Sequence, residues 1–159
     1  MRIIQNIKIV KMFSSKSDEW ETPQNLFDKL DSVYHFTLDP CATDYNHKCN
    51  KYYTLETNGL DKDWNGETVF VNPPYGKSIG KWVEKCYQEH LKGTVIVMLI
   101  PSRTDTRWFH KYIYKQPNVS IEFLKGRLKF VNRLFPSWRE DGNFKISPAP
   151  FPSMIVIFN

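Results

Sequence analysis

Two kinds of apolar block alternate along the chain. Residues 69–71 (Val-Phe-Val), 94–100 and 119–124 are short runs, rich in β-branched and aromatic residues and bounded by polar residues or proline. Such runs predict strands, and an unbroken apolar run predicts burial on both faces. Phe36-Thr37-Leu38 predicts the first central strand and 151–158 the last. Between them the spacing changes. Leu26, Phe27, Leu30, Val33 and Tyr34 recur every three or four residues, as do Ile79, Trp82, Val83, Cys86 and Leu91. That period predicts two amphipathic helices. The first is expected to open with Thr22 as N-cap and Pro23 at its first helical position. The second is expected to be capped by Ser78 and to stop at Gly93.

Strands alternating with helices predict an α/β, three-layer fold with a mixed sheet. Residues 126–131 alternate apolar and basic, and no helical pattern separates them from the final strand. These two late segments predict a C-terminal antiparallel hairpin at the sheet edge. Their long connection, 132–150, carries Arg133, Trp138, Arg139 and Lys145 and is a candidate functional flap. Residues 45–58 show neither period and predict a reduced sheet region or an irregular loop. Residues 1–16 read as a leader or a short strand, with Met12 a second candidate start. Residues 17–159 are expected to form a single domain, with no room for a second one.

Composition narrows the partners only slightly. Lys plus Arg number 22 against 17 Asp plus Glu, a net charge of +5 that favours a polyanion. Three widely spaced cysteines, Cys41, Cys49 and Cys86, argue for a reducing cytoplasm and against a disulfide framework. Cys49 with His47 lacks a second pair to complete a zinc site, so no metal is expected. No stretch approaches the roughly 20 apolar residues of a membrane span.

The chemistry concentrates at Asn72-Pro73-Pro74-Tyr75, where the 69–71 run ends. Ligands of open α/β sheets bind at the carboxyl ends of such strands. Pro73 and Pro74 lack a backbone N–H and have φ fixed, so the turn is stiff. The Asn72 amide oxygen and the Pro73 carbonyl are both acceptors. Two acceptors on a rigid turn suit a planar NH₂ group, and accepting both its hydrogens favours the pyramidal nitrogen that attacks an electrophile. Asn72 has no useful basicity, so it would position and polarise. Tyr75 offers a ring for stacking, an interaction worth about 1–3 kcal/mol per base.

Six landmarks occur in order: Trp20-Glu21-Thr22-Pro23, Leu38-Asp39-Pro40-Cys41-Ala42, Gly59-Leu60-Asp61-Lys62-Asp63-Trp64, Val71 to Gly76, Ile100-Pro101-Ser102-Arg103-Thr104-Asp105-Thr106 and Gly126-Arg127-Leu128-Lys129-Phe130. From about Ser17 to the C-terminus they resemble the phage-type DNA N6-adenine methyltransferases (Dam-like). The resemblance implies a Rossmann-like methyltransferase fold, S-adenosylmethionine as cofactor and double-stranded DNA as partner. A monomer or weak dimer is expected, in the cytoplasm, which is the host's if the chain is phage-encoded. The resemblance makes Asn72, Pro73, Pro74 and Tyr75 the catalytic motif. It places Trp20, Thr22, Pro23, Asp39, Pro40 and Asp61 at the cofactor, with Asp61 preferred over Asp63 for the adenine amino group. One departure stands out: the usual Gly-x-Gly of the cofactor loop is replaced by Cys41-Ala42-Thr43-Asp44, which restricts close backbone approach. Arg103, Arg107, Arg133 and Arg139 are the candidate DNA contacts; Arg103 paired with Asp105 is the alternative for the first. Two other functions remain open on the residues alone: methylation of another amine or amide (an RNA base or a protein glutamine), or a non-catalytic nucleic-acid-binding module.

Overall fold

The computed structural model describes residues 20–131 and 146–159. Its centre is a six-stranded mixed sheet in the order β2-β1-β3-β4-β8-β5. The strands are β1 Leu38–Asp39, β2 Lys51–Tyr52, β3 Thr68–Val71, β4 Val95–Pro101, β5 Val119–Phe123 and β8 Ser153–Phe158. β2, β1, β3 and β4 run parallel, and β8 is antiparallel to both β4 and β5. The helices are α1 Gln24–Tyr34, α2 Ile79–Leu91 and α3 Arg107–Tyr112.

Residues of β3 and β4 are buried almost throughout, as their unbroken apolar runs require. Phe70 meets Phe27 of α1, with ring centroids 5.2 Å apart. Val69, Ile96 and Phe158 are register partners across β3, β4 and β8, so they share the opposite face. There Phe158 meets His90 of α2 at 5.8 Å. The two helices therefore cover opposite faces of the sheet.

Three local expectations are corrected. Helix α1 opens at Gln24, with Pro23 rather than Thr22 in the N-cap position; Thr22 is buried and spends its hydroxyl elsewhere. The first strand is shorter and begins at Leu38. The late hairpin has different partners. β8 inserts between β4 and β5, whereas β6 (Lys129–Val131) pairs with β7 (Ile146–Pro148) in a separate two-stranded ribbon. The reason is patterning. β8 is apolar on both faces and needs a neighbour on each side, while the basic residues alternating through 126–131 cannot enter a sheet interior. Part of the expected 132–150 flap is thus strand β7. Residues 45–58 contain only the two-residue strand β2, the reduced sheet region anticipated. Among the described residues no helix is long and apolar enough to cross a membrane.

Candidate active site

Parallel strands deliver their carboxyl ends to one rim. Asp39-Pro40 leaves β1, Asn72-Pro73-Pro74-Tyr75 leaves β3, and Ser102-Arg103 leaves β4. The Asn72 amide is held by its nitrogen. Nδ2 donates to the Trp20 carbonyl and to Thr22 Oγ1, the latter at 2.9 Å. A carbonyl can only accept, so the amide nitrogen faces Trp20 and the oxygen faces away. That oxygen, Oδ1, is buried and has no partner. Buried polar atoms without a partner are rare in folded proteins and call for an explanation. The amide is therefore oriented with its acceptor unspent.

The same signature recurs along the rim. Of five buried side-chain polar atoms lacking a partner among the described residues, four lie here: Thr43 Oγ1, Asn72 Oδ1, Ser102 Oγ and Ser153 Oγ. Ser153 belongs to this end because it is the register partner of Pro101. No described donor reaches the Pro73 carbonyl either. The rim is thus equipped for a polar ligand.

Tyr75 departs from expectation. Its ring is only 3% exposed, packed edge-on by Phe130 at 5.9 Å and Phe151 at 5.6 Å. Its hydroxyl donates to the Leu99 carbonyl at 3.2 Å, and burial pushes the phenol well above its ordinary value, so it stays neutral. Tyr75 is not an open stacking platform in this arrangement. Trp20 completes the cluster, edge-on to Phe130 and Phe151 at 5.6 and 5.1 Å. The cluster is tied to the ribbon, since Val131 N donates to the Glu21 carbonyl at 3.1 Å. Sequence reasoning missed Phe130 and Phe151 because nothing in their local pattern says which strand ends they will meet.

The cofactor candidates come together from two loops. The 3-10 turn Gly59–Asp61 packs so closely on Pro40 that a Cβ at Gly59 would sit 2.0 Å from the Pro40 carbonyl oxygen. Trp64, fully buried, donates from Nε1 to the Gly59 carbonyl at 3.0 Å and pins the turn from behind. Lys85 Nζ donates to the Lys62 carbonyl at 2.6 Å while paired with the buried Glu89. Asp61 is exposed, and its Oδ2 accepts from Asn58 at 2.6 Å. Asp39 is 5% exposed. Burial raises its carboxyl to about 6, against the bonds it accepts from the backbone N–H groups of Lys48 and Cys41. The glycine-free loop Cys41-Ala42-Thr43-Asp44 is fixed by its own bonds: Cys41 Sγ to the Asn72 carbonyl at 3.2 Å, Ala42 N to the Tyr53 carbonyl at 2.9 Å and Thr43 N to Asn46 Oδ1 at 2.7 Å. A buried carboxylate and an orphaned hydroxyl on one loop, with an exposed carboxylate on the loop packed against it, fit a ligand that carries both a cation and amino hydrogens. Pro23 occupies the N-cap position of α1, adjacent in sequence to Thr22.

The basic candidates divide. Arg103 is exposed and shares the rim, but it donates to the Tyr75 carbonyl at 3.3 Å and makes no ion pair with Asp105 among the described residues. Arg107 opens α3 on the surface. Arg133 and Arg139 lie outside the described residues. His47 Nδ1 bonds the Cys49 carbonyl at 2.8 Å, and no described cluster of three or more His, Cys, Asp or Glu could hold a metal.

The sequence is similar to those of known proteins. A family model described as DNA N-6-adenine-methyltransferase (Dam) matches residues 10–159. A DNA N-6-adenine-methyltransferase of Haemophilus phage HP1 (strain HP1c1) is 27% identical over 154 residues, covering 94% of this chain and 84% of the relative. One from Escherichia phage T1 is 34% identical over 94 residues, 58% of this chain and 39% of that protein. The putative methyltransferase YfdM of Escherichia coli (strain K12) is 38% identical over 65 residues, 36% and 71% respectively. The family match takes in β1 to β8 and every described rim residue, and on that ground the chain belongs to the Dam family of DNA N-6-adenine-methyltransferases.

Proposed function

We propose that this chain methylates N6 of adenine in duplex DNA, using S-adenosylmethionine, on a three-layer Rossmann-like methyltransferase scaffold. The observation that carries the assignment is the orientation of Asn72. Its nitrogen is spent on Trp20 and Thr22, and its buried oxygen has no partner. An amino group donating one hydrogen to Asn72 Oδ1 and the other to the Pro73 carbonyl supplies the missing partners. Those bonds strengthen as N6 gains positive charge, so they stabilise the transition state more than the ground state.

S-adenosylmethionine, when bound, supplies an electrophilic methyl carbon on a sulfonium. Asp39 would face its ammonium end, with Thr43 and Asp61 offering further polar contacts, and Trp20, Thr22, Pro23 and Pro40 forming the wall between cofactor and motif. Asn72 Oδ1 and the Pro73 carbonyl would hold the amine toward that methyl carbon, and its surplus proton would pass to water, so no side chain on the rim needs to act as a strong base. Alignment accounts for most of the rate. The adenine must leave the duplex to reach Asn72, and the closed aromatic cluster over Tyr75 must open before a ring can stack there.

The test is methyl transfer from labelled S-adenosylmethionine to duplex DNA, RNA and protein, followed by nucleoside analysis. Label in N6-methyladenine is expected, with Asn72→Ala abolishing transfer while leaving cofactor affinity within a few-fold. Label confined to RNA or protein, or unchanged turnover in Asn72→Ala, overturns the assignment.

A further inference from the structure

A groove of about 370 Å³ separates the first half of α1 from the segment joining β5 to β6. Its lining contains four cations, Lys29, Lys125, Arg127 and Lys129, and no carboxylate. All four are exposed, and none makes an ion pair or hydrogen bond through its side chain among the described residues. Leu26 and Leu128 form part of its apolar floor. The chain as a whole exceeds neutrality by only five charges, so four cations without an ion-pair partner among the described residues concentrate a weak overall bias into a local field in this groove.

The groove's position is as telling as its charge. Pro23 lines one wall, and its neighbour Thr22 holds the Asn72 amide. Lys129 lines the other, and its neighbour Phe130 packs on Tyr75. Both walls are thus one residue removed from groups that touch the candidate catalytic motif. Gly126 makes this possible: at φ +76° it turns the chain between β5 and β6 and leaves Lys125 and Arg127 on either side of the bend. By contrast Arg103, the arginine that follows β4, is partly spent on the Tyr75 carbonyl.

We propose that this groove seats the sugar-phosphate backbone beside the target adenine, with Lys29, Lys125, Arg127 and Lys129 as phosphate contacts. The proposal rests on the DNA-methylating function above. Such contacts position the duplex and carry no sequence information. Each phosphate neutralised adds about 0.9 to the slope of log affinity against log salt.

The experiment compares the full chain with K125Q/R127Q/K129Q, and with K81Q/K111Q/K115Q as a charge-matched control on other faces. Duplex binding is titrated between 50 and 200 mM salt, alongside cofactor affinity and single-turnover methylation at saturating DNA. The groove variant should lose about two to three units of slope, on the order of 0.9 per contact, and bind at least tenfold more weakly at the higher salt. Its cofactor affinity and saturated rate should stay within about twofold of the parent. The control should keep most of the parental slope. A parent that binds and methylates the duplex beside a groove variant of unchanged slope and affinity overturns the groove alone. So does a control as weak as the groove variant. A parent that neither binds nor methylates the duplex overturns the function, and the groove with it.

Discussion

Thr22→Val tests whether the Asn72 amide is oriented from behind. The substitution keeps shape and burial but deletes the hydroxyl that accepts from Asn72 Nδ2 at 2.9 Å. Thr22 is 2% exposed, so water cannot readily replace it. One N–H of the amide then has no acceptor, while the other still donates to the Trp20 carbonyl. An unsatisfied buried donor costs about 1–3 kcal/mol, and the amide can relieve part of that by rotating. Rotation carries Oδ1 off the amine it is proposed to bind. A displacement of that kind costs about 10–100-fold in rate, or about 1.4–2.8 kcal/mol in the barrier. The assay is single-turnover methyl transfer at saturating cofactor and DNA, with cofactor affinity measured separately by calorimetry. Thr22→Ser, which retains the hydroxyl, should recover the rate to within about threefold of the parent on the same reasoning. A Thr22→Val protein with a parental rate would refute the orientation argument. So would a loss confined to cofactor affinity, which would assign the hydroxyl to the cofactor instead.

Two further expectations follow from the loops proposed to hold the cofactor. Gly59→Ala places a methyl 2.0 Å from the Pro40 carbonyl oxygen, and because that neighbour is backbone the two loops must part. Overpacking of this kind costs about 1–3 kcal/mol, so scanning calorimetry should show a Tm lower by roughly 3–10 °C, with cofactor affinity reduced at least tenfold; parental values for both would mean the loops tolerate separation. Asp39 gives the chain a pH dependence. Burial lifts its carboxyl from 3.8 to about 6, so between those values the folded chain holds a proton that the unfolded chain has released. Stability therefore falls as pH rises from about 4 to 6, by a total on the order of 3 kcal/mol. Cofactor affinity should move the other way and weaken as pH drops below about 6, because the carboxylate is the form that holds an ammonium group. Asp39→Asn should flatten both trends in urea titrations and calorimetry; an unaltered pH slope in that variant would exclude Asp39 as their source.

The sequence by itself determined the strands and helices of the core and the stiff turn that ends β3. Val69 to Val71 had to be a buried strand, and Asn72-Pro73 had to follow it, because apolar runs and prolines restrict the backbone locally. The absence of glycine from the loop after β1 was also legible, as were the charges on 126–131. Three matters were settled only by tertiary structure. The first is the partner of β8, since a strand apolar on both faces needs two neighbours but does not say which. The second is the exposure of Tyr75, which depends on Phe130 and Phe151 arriving from distant parts of the chain. The third is the freedom of the Asn72 oxygen, decided by Trp20 and Thr22 some fifty residues upstream. Local propensities act over a few residues, whereas pairing, burial and hydrogen-bond satisfaction are fixed only when remote segments meet.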